Sequence, residues 1–177
     1  HTLSNPMANN NNHTATEQKF GWSVDTSNTY AIVGAIRTQQ TASSNSTYAS
    51  GRGYVFNTHD GSLAYTLNNP NAYGTALGDA FGTSCAISDT YAIVGAPNED
   101  DAGGTSSGKA YVYNISNSFG LAYILDNPNP DSSALDDRFG LKVAISDTHA
   151  IVSASQEDDA RVGADSGKCY IYDLSDG

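Results

Sequence analysis

Two acidic stretches hold the side chains best suited to chemistry. Asn98, Glu99, Asp100 and Asp101, followed by Ser106, gather oxygen donors in one loop. Gln156, Glu157, Asp158 and Asp159, followed by Asp165, do the same further on. Hard oxygen ligands on a flexible loop suit calcium. The metal-ligand candidates are therefore Asn98, Glu99, Asp100, Asp101, Glu157, Asp158, Asp159 and Asp165, with calcium as the candidate cofactor. Its role would be structural, holding a long loop in place. The same residues also read as a solvated acidic turn that guards a sheet edge against unwanted pairing. The matching stretch near the N-terminus, with Thr38, Gln39, Gln40, Thr41 and Asn45, contains no acid.

A second acidic group recurs ahead of each Phe-Gly pair, as Glu17, Asp79, and Asp136 with Asp137. Glycoside hydrolysis needs two carboxylates in different roles across one bond. Carboxylates that repeat with the chain suggest a local hydrogen-bonding role instead. The four histidines form no ligand set, and His149 takes a position held elsewhere by Tyr30 and Tyr91, where it is expected to act as a packing substitute. No serine lies in a nucleophile elbow. Gly103-Gly104 and Gly51-Arg52-Gly53 lack the surroundings of a phosphate loop. No enzymatic activity is expected.

Net charge is -11, from 19 acidic and 8 basic residues. That balance repels nucleic acid. No run approaches the roughly 20 apolar residues of a membrane-spanning helix, so membrane insertion is not expected. Cys85 and Cys169 occupy positions held by Val24 and Ala110 in other repeats, and both read as small buried residues.

The elements that must position these residues repeat. Phe20-Gly21, Phe81-Gly82 and Phe139-Gly140 lie 61 and 58 residues apart. Each leads to an Ala-Ile-Val triplet, a polar loop, a Ser-Gly or Gly-rich turn and a tyrosine-bearing strand. The second repeat predicts strands at 83–87, 91–95, 109–115 and 122–125. Ala110 and Val112 are expected on one face of its third strand, with Tyr111 and Tyr113 on the other. The third repeat predicts 139–145, 149–154 and 168–174, and the first predicts 30–35, 53–56 and 63–67. Four short strands per unit of about 60 residues suggest a propeller blade, whose two apolar faces need neighbours. The predicted fold is all-β, with about three blades of four antiparallel strands belonging to a larger propeller or assembly.

The divisions expected are 1–19, the end of a preceding blade and a linker, then 20–80, 81–138 and 139–177. Leu3-Ser4-Asn5-Pro6 matches Leu67-Asn68-Asn69-Pro70 and Leu125-Asp126-Asn127-Pro128, the ends of fourth strands. The last division lacks a fourth strand. A chain that opens and closes inside a repeat predicts a functional object larger than 177 residues.

Phe81-Gly82, Ala86-Ile87-Ser88-Asp89 and Ala92-Ile93-Val94-Gly95-Ala96-Pro97 resemble the FG-GAP repeat of integrin α chains and of microbial secreted or surface proteins. Asn98 to Asp101 and Ser107-Gly108-Lys109-Ala110-Tyr111-Val112-Tyr113 are similar to the microbial version. The resemblance implies calcium at Asp-x-Asp-x-Asp-Gly loops, a pattern that neither acidic stretch reproduces. Ser153 and Ser155 replace the motif's glycine and proline in the third repeat, and Ile36 replaces the proline in the first.

Together these features predict a non-catalytic structural or adhesive module located outside the cell, on a cell surface or on a virion. Its partners would be further blades or identical subunits, with a filament or virion appendage as one form. The alternatives are a propeller that grips a protein or glycan through its loops, best at Arg37 to Ser50, and a propeller-scaffold enzyme.

Overall fold

The computed structural model describes residues 1–7, 18–37, 50–71, 78–100, 106–128, 136–158, 163 and 165–175. These contain eleven strands and no helix. Blade one comprises β1 (Phe20–Thr26), β2 (Tyr30–Ala35), β3 (Arg52–Asn57) and β4 (Leu63–Asn68). Blade two comprises β5 (Ser84–Ile87), β6 (Tyr91–Ala96), β7 (Lys109–Asn114) and β8 (Gly120–Asp126). Blade three comprises β9 (Phe139–Ile145), β10 (His149–Ala154) and β11 (Lys168–Asp173). Every pairing between neighbouring strands is antiparallel, and strand order follows the chain. The fold is all-β, built of propeller blades, and the described sheets do not close a ring.

Alternation sorts each strand's side chains between two joints. In β7, Tyr111 and Tyr113 enter a core with Ile32, Val55 and Leu67 of blade one. Ala110 and Val112 enter a different core with Phe139, Ala150 and Val152 of blade three. The middle strand β6 is divided the same way, with Val94 in the first core and Ile93 in the second. Being apolar on both faces, a central blade must have neighbours on both sides. This is why β2 and β6 share the apolar run Tyr-Ala-Ile-Val-Gly-Ala.

Phe-Gly locks the joints. Phe81 and Phe139 are fully buried, each contributing about 2–3 kcal/mol by area alone. Phe81 packs at 5.8 Å from the Tyr111 ring, and Phe139 at 5.9 Å from that of Tyr170. Parallel bridges join Gly51 to Phe81 and Gly108 to Phe139 across neighbouring blades. Gly82 and Gly140 follow at φ 91° and 90°, a region that favours glycine.

Two expectations require correction. Cys169 is exposed, unlike its counterpart Ala110, which is fully buried. His149 is exposed as well, although Tyr30 and Tyr91 at its position are half-buried. All these residues lie on the face that looks toward the following blade. On blades one and two that face is covered, and on blade three no described residue covers it. Cys85 is buried and Cys169 exposed, and both are free thiols.

Candidate functional site

The turn after β6 sends the first acidic stretch back toward its own blade. Glu99 N–H donates to the Ala96 carbonyl at 3.2 Å, and Gly108 N–H donates to the Glu99 carbonyl at 2.9 Å. The loop base is thus pinned on both sides of Glu99. The turn after β10 repeats this arrangement, with Glu157 to Ala154 at 3.3 Å and Gly167 to Glu157 at 2.9 Å.

The two glutamates of the acidic stretches point inward and are fully buried. Tyr111 Oη donates to Glu99 Oε1 at 2.5 Å, and Asn71 Nδ2 donates to the same oxygen at 2.9 Å. In blade three, Tyr170 Oη bridges both Glu157 oxygens at 2.6 and 2.7 Å, and Lys168 Nζ pairs with Oε1 at 2.8 Å. The corresponding Lys109 meets Asp126, and its charge also favours the ionised form of Glu99. Burial pushes the Glu99 carboxyl above its usual range, opposed by the bonds from Tyr111 and Asn71. Burial, followed by the Glu99 bond and charge, pushes the Tyr111 hydroxyl well above its ordinary value.

The acids ahead of Phe-Gly join this interior. Asn69 Nδ2 donates to Asp79 Oδ2 at 2.7 Å, and Asn127 Nδ2 donates to Asp137 Oδ2 at 2.9 Å. Asp79 is fully buried. Burial, then the charges of Glu99 and Asp100, raise its carboxyl to about 7. One oxygen of Asp79 and one of Glu99 have no hydrogen-bond partner among the described residues. In the first repeat this role falls to Gln18, which accepts from Asn5. Counting back two residues from each Phe-Gly would have identified Gln18, Asp79 and Asp137 as one series. Glu17 lies outside the described residues.

Asp100 and Asp158 close loops. Ser106 N–H donates to Asp100 Oδ1, and Asp165 N–H donates to Asp158 Oδ1, both at 2.8 Å. Ser106 and Asp165 hold equivalent left-handed positions at φ 54° and 53°, a conformation that short polar side chains tolerate. Asn98 Nδ2 reaches the Gly78 carbonyl at 3.4 Å. Asp101 and Asp159 lie outside the described residues, as do residues 38–49 of the long first loop.

The expected calcium ligands therefore separate. Glu99 and Glu157 turn into the blade, while Asp100 and Asp158 each spend an oxygen on a backbone amide. Among the described residues, no group of three His, Cys, Asp or Glu side chains is placed to hold a metal ion. The described donors do not fit the many-oxygen shell that calcium requires. If Asp100 acts as a loop clasp, Asp100→Ala will cost about 1 kcal/mol, the worth of one hydrogen bond. Asp100→Asn will cost little, because its carbonyl oxygen still accepts. Denaturant titration with and without calcium checks this, and equal losses for the two variants would refute the clasp.

At one end of the blades, the hairpin turns link in series. Asp89 accepts from Asn28 N and Nδ2 at 3.3 and 2.7 Å, and Asp147 accepts from Thr90 N at 3.1 Å. Hydrogen bonds from Ser88 and Thr90 hold the Asp147 carboxyl below its usual range. The turn acids of blades two and three thus each tie their blade to the preceding turn.

No helix among the described residues is long and apolar enough to cross a membrane. No curated protein matches the chain. A family model described as the FG-GAP repeat matches three times, over residues 12–56, 71–113 and 130–172. Those matches cover most of the chain, and each takes in a Phe-Gly joint, the first two strands of a blade and nearly all of its third, so this protein belongs to the FG-GAP repeat family.

Proposed function

We propose that this chain is a non-catalytic structural or adhesive module that works outside the cell, on a cell or virion surface, by assembling with further blades or chains. The observation that carries this reading is how the recurring acids are used. Glu99 and Glu157 hold tyrosines of their own blades, Asp79 and Asp137 hold asparagines, and Asp89 and Asp147 tie turns together. The same acid does the same structural work in successive repeats, whereas catalysis by two carboxylates requires them to differ. Formal charge of -11 suits a module that stays soluble while presenting loops.

Two measurements test the reading. An antibody against the folded chain should label intact, unpermeabilised cells or particles that carry it. Folded protein should turn over no glycoside, ester or phosphoester in a substrate panel. Labelling only after permeabilisation overturns the location. Turnover that disappears in Glu99→Gln while the fold persists overturns the non-catalytic role.

A further inference from the structure

We propose that Asn114 is a site of N-linked glycosylation, taking a glycan on its carboxamide nitrogen. This inference rests on the reading that the module works outside the cell, and it names a modification acquired on the way there.

Asn114 opens the tripeptide Asn114-Ile115-Ser116, the asparagine-x-hydroxyl pattern that glycan transfer requires. It is the last residue of β7, and the turn to β8 follows it. Ser116 Oγ donates to Asn114 Oδ1 at 2.6 Å, and Asn117 N–H donates to the same oxygen at 3.2 Å. Both bonds use the carbonyl side of the carboxamide. Asn114 Nδ2 makes no hydrogen bond among the described residues, and it is not one of their buried unpartnered atoms, so it meets solvent. The nitrogen that must accept a glycan is therefore the open half of this side chain.

The other blades show what the turn itself needs. Asn57, Asn114 and Asp173 hold one position, each paired with the first residue of its blade's second strand, Tyr30, Tyr91 and His149. In blade three, Ser175 Oγ donates to Asp173 Oδ1 at 2.6 Å. Leu174 N–H donates to the Thr148 carbonyl at 2.8 Å, as Ile115 N–H does to that of Thr90 at 2.9 Å. A carboxylate thus builds the same turn but carries no nitrogen to modify. In blade one, Asn57 Nδ2 is taken by Ser62 Oγ at 2.8 Å, and His59 stands where the hydroxyl would be needed. Of these three positions, only that of blade two joins an open carboxamide nitrogen to a hydroxyl two residues on.

The site has room for a bulky polar group. Ser116, Asn117 and Ser118 are exposed. Ile115 packs against the core between blades one and two and anchors the turn from beneath. The turn joins β7 to β8, at the opposite end of the blade from the loop that carries Glu99 between β6 and β7. A glycan here would coat that end and leave both the cores and the acidic loop untouched. The donor is a glycan linked through its anomeric carbon to a polyprenyl pyrophosphate. Asn114 Nδ2 bonds to that carbon, the carbon–oxygen bond to phosphate breaks, and the lipid pyrophosphate leaves with the electron pair. One amide proton is lost to a base of the transferase.

The test sends the full chain, behind an appended secretion signal, through the secretory pathway of cultured eukaryotic cells. Folded protein from the medium is treated with peptide N-glycosidase in heavy-oxygen water and read peptide by peptide, which keeps the sequons at Asn12 and Asn45 apart. Asn114 should be converted to labelled aspartate, while exposed Asn117, which has Phe119 two residues on, should not. Ser116→Ala should abolish the label at Asn114 while keeping the bond from Asn117 N–H, and Ser116→Thr should retain it. Secreted, folded wild type with a bare Asn114 overturns the site, as does a label that survives Ser116→Ala. The location is judged separately: labelling of native protein only after permeabilisation, with Asn114 occupied in the secreted chain, sinks the location and upholds the acceptor site.

Discussion

Gly95→Ala will destabilise the protein by about 3 kcal/mol, although it adds a single methyl group. Gly95 lies inside β6, paired with Ser84 and Ala110. Its φ is not in the left-handed region, so alanine is locally acceptable. The obstacle lies in the next blade: a Cβ on Gly95 would overlap the Gly140 carbonyl oxygen and crowd its carbonyl carbon. That oxygen belongs to backbone held by the Gly108–Phe139 bridge, so it cannot rotate aside. Overpacking of this kind costs about 1–3 kcal/mol, and a rigid partner places it at the upper end. For a chain of this length, such a loss lowers the melting temperature by roughly 6–12 °C. Gly34→Ala should behave alike, since its Cβ would meet the Gly82 carbonyl. Gly21→Ala separates backbone strain from crowding: its φ is 89°, but nothing lies within 4 Å of its Cβ. It should cost only about 1–2 kcal/mol, the penalty of left-handed backbone. A Gly95→Ala loss no larger than that of Gly21→Ala would remove the close glycine joint as a source of stability.

The contrast shows where the sequence was legible. Period-two alternation places Tyr111 and Val112 on opposite faces, and the structure puts them in separate cores. The apolar runs and Asx-Thr turns mark the strands closely, because strand pairing within a blade is local. The site was less legible. Asn98 to Asp101 reads as four adjacent oxygen donors, yet Glu99 turns inward while Asp100 bonds to the loop backbone. Direction within a turn depends on Tyr111, which is distant in sequence until β6 and β7 pair. The exposure of Cys169 and His149 was hidden for a related reason. Repeat position predicts what a residue faces, but burial requires the next blade to be present. Ser153 shows the reverse case. It reads as a small lapse from the motif, and its meaning emerges only once Gly34 and Gly95 are seen against the backbone of the following blade.

Asp79→Asn will stabilise the protein above pH 7 and flatten its pH dependence. Asp79 is fully buried, and burial, then the charges of Glu99 and Asp100, lift its carboxyl from 3.8 to about 7. Below pH 3.8 the group is protonated in both folded and unfolded chains and contributes no pH dependence. As pH rises from about 4 to 7, the unfolded chain ionises freely while the folded chain resists, so stability falls. Above about 7 both states are ionised and this contribution levels off. The loss is on the order of 2–4 kcal/mol, and the raised Glu99 acts in the same direction. Asparagine cannot ionise. Its carbonyl still accepts from Asn69, and its amide can donate where Asp79 has an unpartnered oxygen. Urea unfolding from pH 5 to 8 reads these slopes directly. A wild-type stability that holds constant across that range, or an Asp79→Asn variant weaker than wild type at pH 8, would show that this buried acid carries no unfavourable charge.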